Sequence, residues 1–162
     1  MEYLDEMTDL LFSLVISATI LDGILAGAGL DQVVKQLPAR RKIGMVGYSR
    51  YFMAADLANG RFWYGTLGIL AYVLTVGSAV AGYLQNVEPS AMTLLSIAAT
   101  MALIHAFGTG RAAPTAFKVR DVGNDETTLT KIFDQFSKWT SLRGVAGVLM
   151  FLTSLWALVI IA

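Results

Sequence analysis

The chain has 162 residues, of which 56% are hydrophobic and only 15% charged, against about 25% charge in an ordinary soluble domain. Twelve Lys and Arg balance twelve Asp and Glu, so no net basicity points to nucleic acid, and none is expected as a partner. There is no cysteine and one histidine, His105, which excludes disulfide frameworks, thiolate metal sites and thiol redox relays and leaves a protein-only metal centre without a ligand set.

The N-terminus is acidic, with Glu2, Asp5, Glu6 and Asp9 ahead of the first apolar run from Leu10 to Leu30. A cleavable signal peptide needs a basic start, so none is expected, and a run of about 20 apolar residues is long enough to span a bilayer. This first span carries Asp22 near its middle, followed by Gly23 and Gly27 in a small-xxx-small pattern extended by Gly29. Small residues at that spacing let helix backbones approach closely in lipid.

All twelve cations then fall in two segments, Lys35 to Arg61 and Arg111 to Arg143. In the first, the stretch from Arg41 to Asn59 is broken only by Gly44 and Gly47, and Ile43, Val46, Tyr51, Ala54, Leu57 and Ala58 recur at helical spacing. That pattern predicts an amphipathic helix lying at the membrane interface. The second span runs from Phe62 to Leu84, and the short link Gln85 to Ser90, charged only at Glu88, makes spans two and three an antiparallel hairpin. Span three, Ala91 to Gly110, repeats small residues every fourth position at Ala98, Ala102, Ala106 and Gly110. In the second cationic segment Gly123-Asn124-Asp125 reads as a turn and helix cap. Leu129, Ile132, Phe133 and Phe136 follow as one apolar face of a second interfacial helix, which continues through Trp139 into span four, Trp139 to Ala162.

The two cationic segments lie on the same side of the membrane, and cations favour the cytoplasmic side. The expected architecture is therefore all-α: a single-domain, integral membrane four-helix bundle with two cytoplasmic-side interfacial amphipathic helices. It is placed in the cell (inner) membrane with both termini outside. Trp63, Tyr64 and Trp139 would sit in the inner aromatic belt, and Tyr3, Tyr83 and Trp156 in the outer one.

An ionisable residue inside a span is costly, about 2.5–3.5 kcal/mol at the helix centre on insertion scales, and so needs a partner. Asp22 lies nine residues in from Asp31 and His105 six in from Arg111, a depth difference of about 4–5 Å at about 1.5 Å per residue. Two arrangements fit: an Asp22–His105 pair, the minimal form of an oriented general base, or each residue bonded separately to backbone and hydroxyls. Arg143, one turn inside span four, joins them as a candidate catalytic residue, and it or Arg50 would stabilise an oxyanion. At the inner boundary Arg50, Asp56, Asn59, Tyr64 and Arg111 could ring the mouth of the bundle as ligand-binding groups, with headgroup contact as the plain alternative. No cofactor is expected, since a bis-His haem is impossible with one histidine and no His/Met pairing stands out.

Leu37-Pro38-Ala39-Arg40, Ala55-Asp56-Leu57 with Asn59-Gly60 and Tyr64, Arg111-Ala112-Ala113-Pro114 and Leu142-Arg143 together resemble the anthrone-oxygenase-like family of small four-span membrane proteins. The resemblance covers most of the chain but rests on boundary residues, and no catalytic residue carries over from it. It implies four helices and a bundle-core ligand site, and characterised relatives are associated with oxygenation of polycyclic anthrones without an evident metal or flavin. Two readings follow: a cofactor-independent oxidoreductase taking an apolar small molecule from the lipid, or a non-catalytic accessory or lipid-binding subunit of a larger membrane complex. A transporter is a poorer fit, with no broken helix pair and one intramembrane acid.

Overall fold

The computed structural model describes residues 2–162, with side-chain surroundings described from 10 onward. Helix α1 is Glu2–Asp31, and a π-helical turn, Gln32–Gln36, leads without a break into α2, Leu37–Ile43. The chain reverses at Gly44, whose φ of 80° is a conformation that glycine adopts without strain. Helix α3, Met45–Ala54, passes through a second π-helical turn, Ala55–Gly60, into α4, Arg61–Leu84. After a tight turn at Gln85 and Asn86, α5 runs Pro89–Phe117, α6 is Val119–Val122 and α7 is Glu126–Ile161.

Among the described residues four helical stretches are long and apolar enough to cross a membrane: Leu10–Ile43, Met45–Leu84, Pro89–Val122 and Glu126–Ile161. The protein is a small multi-pass membrane protein of all-α architecture. Around the bundle α1 packs against α4 and α7, and α5 packs against α4 and, most extensively, α7. Helices α1 and α5 therefore stand diagonally opposed.

The cationic segments differ from expectation. Among the described residues no separate interfacial amphipathic helix is evident; both segments prolong the spans and pack on one another. Tyr48 and Phe52 of α3 and Phe133 of α7 are almost wholly buried. Phe133 meets Tyr48 and Phe52 edge-on at ring-centroid distances of 4.8 and 5.4 Å, and Phe136 meets Phe52 at 5.1 Å. Edge-on aromatic packing of this kind adds to plain area burial, so these rings gain more from a shared core than from the membrane surface. The buried face of the first segment is accordingly Tyr48, Phe52 and Leu57, while Ile43, Tyr51, Ala54 and Ala58 are exposed. The reversal at Gly44 and the extra residue of the second π turn both shift the register that a straight helical count assumes. The second segment follows its sequence pattern: Asp125 caps α7, Leu129, Ile132, Phe133 and Phe136 are buried, and the helix continues through Trp139.

Small residues also divide differently. On α5 the buried ladder is Ala91, Leu95, Ala98, Ala102, His105, Gly108, Ala112, Thr115 and Ala116. A strict four-residue step advances about 40° beyond a full turn, which carries Gly110 out to an exposed position.

Candidate functional site

Asp22 has no exposed surface. Its carboxylate accepts hydrogen bonds from the Thr75 hydroxyl of α4, at 3.1 Å to each oxygen, and from the Ser154 hydroxyl of α7 at 2.9 Å. Asp22 thus ties together three helices. The donors come from the two helices that flank α1; α5, which carries His105, lies across the bundle. Of the two arrangements the sequence admits, separate bonding to hydroxyls is the one found for Asp22.

His105 is buried, and its Nδ1 lies 2.8 Å from the hydroxyl of Tyr72 on α4. The imidazole rests on Gly147 of α7, where an added methyl would come within 3.2 Å of the ring carbon Cδ2. Glycine at that position lets the ring approach the backbone of α7. In one tautomer Tyr72 donates to Nδ1 and Nε2 carries the proton; in the other Nδ1 donates to the tyrosine oxygen and Nε2 is a free base. Either way the pair has a donor at one end and an acceptor at the other.

Tyr72 and His105 form part of the wall of a cavity of about 600 Å³, which lies between α1, α4, α5 and α7 towards the cationic end. That is within the roughly 300–1,000 Å³ of small-molecule sites. Much of its wall is apolar or ringed, including Leu57, Phe52, Phe117 and Phe136. Its polar end is built on the two π-helical turns. The Arg143 guanidinium donates to the side-chain oxygen Oε1 of Gln32, and Nε2 of the same side chain reaches the Asp56 carboxylate at 3.5 Å, the limit of a hydrogen bond. Gln36 donates to Asp31 at 2.6 Å, leaving its own Oε1 buried without a partner. π-Helical turns are frequent at functional sites, and here both place polar side chains in one cavity wall.

Of the residues singled out in the sequence, His105, Arg143, Asp56 and Tyr64 line this cavity; Asp22, Arg50, Asn59 and Arg111 are not in its wall. Arg50 and Asn59 are exposed. Arg111 lies over the rings of Phe107 and Trp139, at 5.3 and 5.9 Å from their centroids, a cation–π arrangement. Sequence reasoning passed over Gln32, Gln36 and Tyr72, along with the Asp22 donors Thr75 and Ser154. Thr75 and Ser154 are hydroxyls at mid-span, which was the available signal; Gln32 and Gln36 look like boundary residues because a π turn leaves no mark in the sequence. Among the described residues no group of His, Asp and Glu is placed to hold a metal.

Comparison with protein-family models, with curated proteins and with solved structures finds no match for this chain.

Proposed function

We propose that the bundle binds a largely apolar ring molecule in this cavity and acts on it as a cofactor-independent oxidoreductase of the anthrone-oxygenase type. The observation that carries the reading is the Tyr72–His105 hydrogen bond in the wall of an otherwise largely apolar cavity. A general base works when it is within reach of an acidic C–H and held in one orientation; Tyr72 and Gly147 hold this one. His105 removes a proton from a ring methylene next to a carbonyl-bearing system. The resulting enolate oxygen is stabilised by the donors of Arg143, oriented through Gln32. Dioxygen oxidises the carbanion: the methylene carbon becomes a carbonyl, one oxygen atom entering the product and the other leaving as water with the two methylene hydrogens. Asp56 and Tyr64 position the ligand at the mouth. Asp22 has a structural part in this scheme, bracing the wall rather than touching the ligand.

The cationic end is proposed to face the cytoplasm, on the positive-inside bias. The test is oxygen uptake by the purified chain in lipid nanodiscs with anthrone. His105→Ala is expected to lower turnover by about 10²–10⁴-fold, the usual contribution of a general base. Tyr72→Phe should lower it by about tenfold through lost orientation. Unchanged turnover in His105→Ala would remove the mechanism.

A second reading has its own observation. The outer face of α4 carries a shallow apolar groove along Val73, Val76, Gly77, Val80 and Leu84, shaped to take another membrane helix. In that reading the protein is an accessory subunit, and native mass spectrometry after mild extraction would find it with a partner; a lone monomer counts against it.

A further inference from the structure

Glycines in a membrane helix ordinarily allow a neighbouring helix to come close. Several glycines here serve that purpose. A methyl on Gly23 would meet the Phe151 ring at 3.0 Å, and one on Gly29 would meet the Gly144 backbone at 3.5 Å. Four helical glycines, Gly27, Gly65, Gly77 and Gly110, do not: beyond the helix's own backbone nothing lies within 4 Å of where a methyl would sit, and of these Gly27 of α1 and Gly65 of α4 line the cavity. Both are exposed. Alanine would serve a helix better at such positions, so packing gives no reason for glycine at either.

The two positions belong to adjacent helices. Counted from the Asp22–Thr75 hydrogen bond that joins α1 to α4, Gly27 is about 7–8 Å and Gly65 about 15 Å along the bundle towards the cationic end, at about 1.5 Å per residue. They bracket a stretch of the α1–α4 seam that lies inside the apolar spans. Ile24 above and Tyr64 below are also at once exposed and part of the cavity wall. Phe62 and Trp63, largely exposed beside Tyr64, are aromatic groups of the kind that sit at the membrane–water boundary.

We propose that this seam is a lipid-side port: Gly27 and Gly65 keep open a slot through which a flat, lipid-soluble ring molecule passes from the bilayer into the cavity. The slot faces lipid, so its users are molecules already dissolved in the membrane. Walls without side chains admit a planar body, and the three phenyl rings of Phe52, Phe117 and Phe136 inside favour an aromatic occupant over an acyl chain. The port rests on the cavity being a ligand site, as proposed above, and it needs no chemistry to be tested.

The probe is benzophenone dissolved in phosphatidylcholine nanodiscs carrying the full chain, irradiated and mapped by peptide mass spectrometry. In the wild type, label is expected on the cavity wall at Leu57 and Phe136, and on the lipid face at Val80. The pair Gly27→Leu with Gly65→Leu should cut cavity label by about tenfold, the order of penalty an added side chain imposes where space is filled, and leave Val80 unchanged. If the leucine pair fails to assemble, Gly27→Ala with Gly65→Ala should give a smaller loss in the same direction. Equal cavity label in wild type and the variant pairs overturns the port while the ligand site stands. No cavity label in the wild type overturns both. Gated label without oxygen uptake supports the port and removes only the oxidoreductase chemistry.

Discussion

A carboxyl group with no exposed surface in the middle of a span has to find donors within the bundle, and Asp22 finds two hydroxyls on two other helices. This makes it a three-helix tie, and the tie and catalytic roles predict different variants. Asp22→Asn keeps an acceptor oxygen and the shape of the side chain, so it should cost about 1–2 kcal/mol of bundle stability, the range of hydrogen bonds between membrane helices, with little loss of ligand turnover. Asp22→Leu, which removes both bonds and adds bulk, should be markedly worse. Steric-trap unfolding in bicelles measures the first effect and oxygen uptake the second; Asp22→Asn that keeps its stability and loses its turnover would return Asp22 to a catalytic role. That Asp22 must be buried and partnered was legible from its position alone. Its partner was not, because counting residues from a boundary gives depth along a helix but not which side of the bundle the residue faces. His105 shares its level roughly but stands on the diagonal helix, and Tyr72 takes the place that one of the two arrangements gave to Asp22.

The elements that surprise are those whose geometry leaves little trace in composition. The four apolar runs, the hairpin between spans two and three, and the Asp125 cap all follow from local patterns of about four to twenty residues. The two π-helical turns do not, and each moves every later residue round the helix axis. Nor does the reversal at Gly44, which starts α3 afresh and leaves Tyr51 and Ala54 outside while Tyr48 and Phe52 join Val46 and Leu57 in the core; the face in α7, which has no such interruption, came out as read. The cap supplies a prediction at this scale. The Asp125 carboxylate accepts from the Thr128 hydroxyl at 2.6 Å and from the backbone amides of Thr127 and Thr128, and these bonds, led by the Thr128 hydroxyl, hold its pKa below the usual carboxylate value. A depressed folded-state pKa means that the contribution is present above the ordinary carboxylate range and is lost as pH falls through the depressed value. Hydrogen exchange at the Thr127 and Thr128 amides should therefore be slowed at neutral pH. Asp125→Ala should show several-fold faster exchange there, and its protection should not change with pH. Equal exchange in both proteins at neutral pH would show that the cap has no effect on the helix end.

At the scale of the whole molecule, the segregation of cations to one end acquires a second meaning from the cavity. The same end that carries the basic segments holds the aromatic core of Tyr48, Phe52 and Phe133 and, just inside the spans, the cavity with its polar groups. The prolonged helices pack an aromatic cap at that end, and the seam between α1 and α4 is the route proposed above for a lipid-soluble molecule. Orientation then decides which leaflet feeds the seam. In the orientation proposed above, with the cationic end in the cytoplasm, Gly27, Gly65 and the aromatic groups beside them would lie in the inner leaflet. The absence of native cysteine makes this directly measurable, since any single introduced thiol is the only one in the protein. Glu88 and Lys118 are both exposed and lie at opposite ends of α5. A membrane-impermeant maleimide added to intact cells should label Glu88→Cys from outside, and Lys118→Cys only after the membrane is permeabilised. The reverse pattern would invert the protein and move the seam to the outer leaflet, leaving the cavity and its port unchanged but assigning their ligand to the opposite face of the membrane.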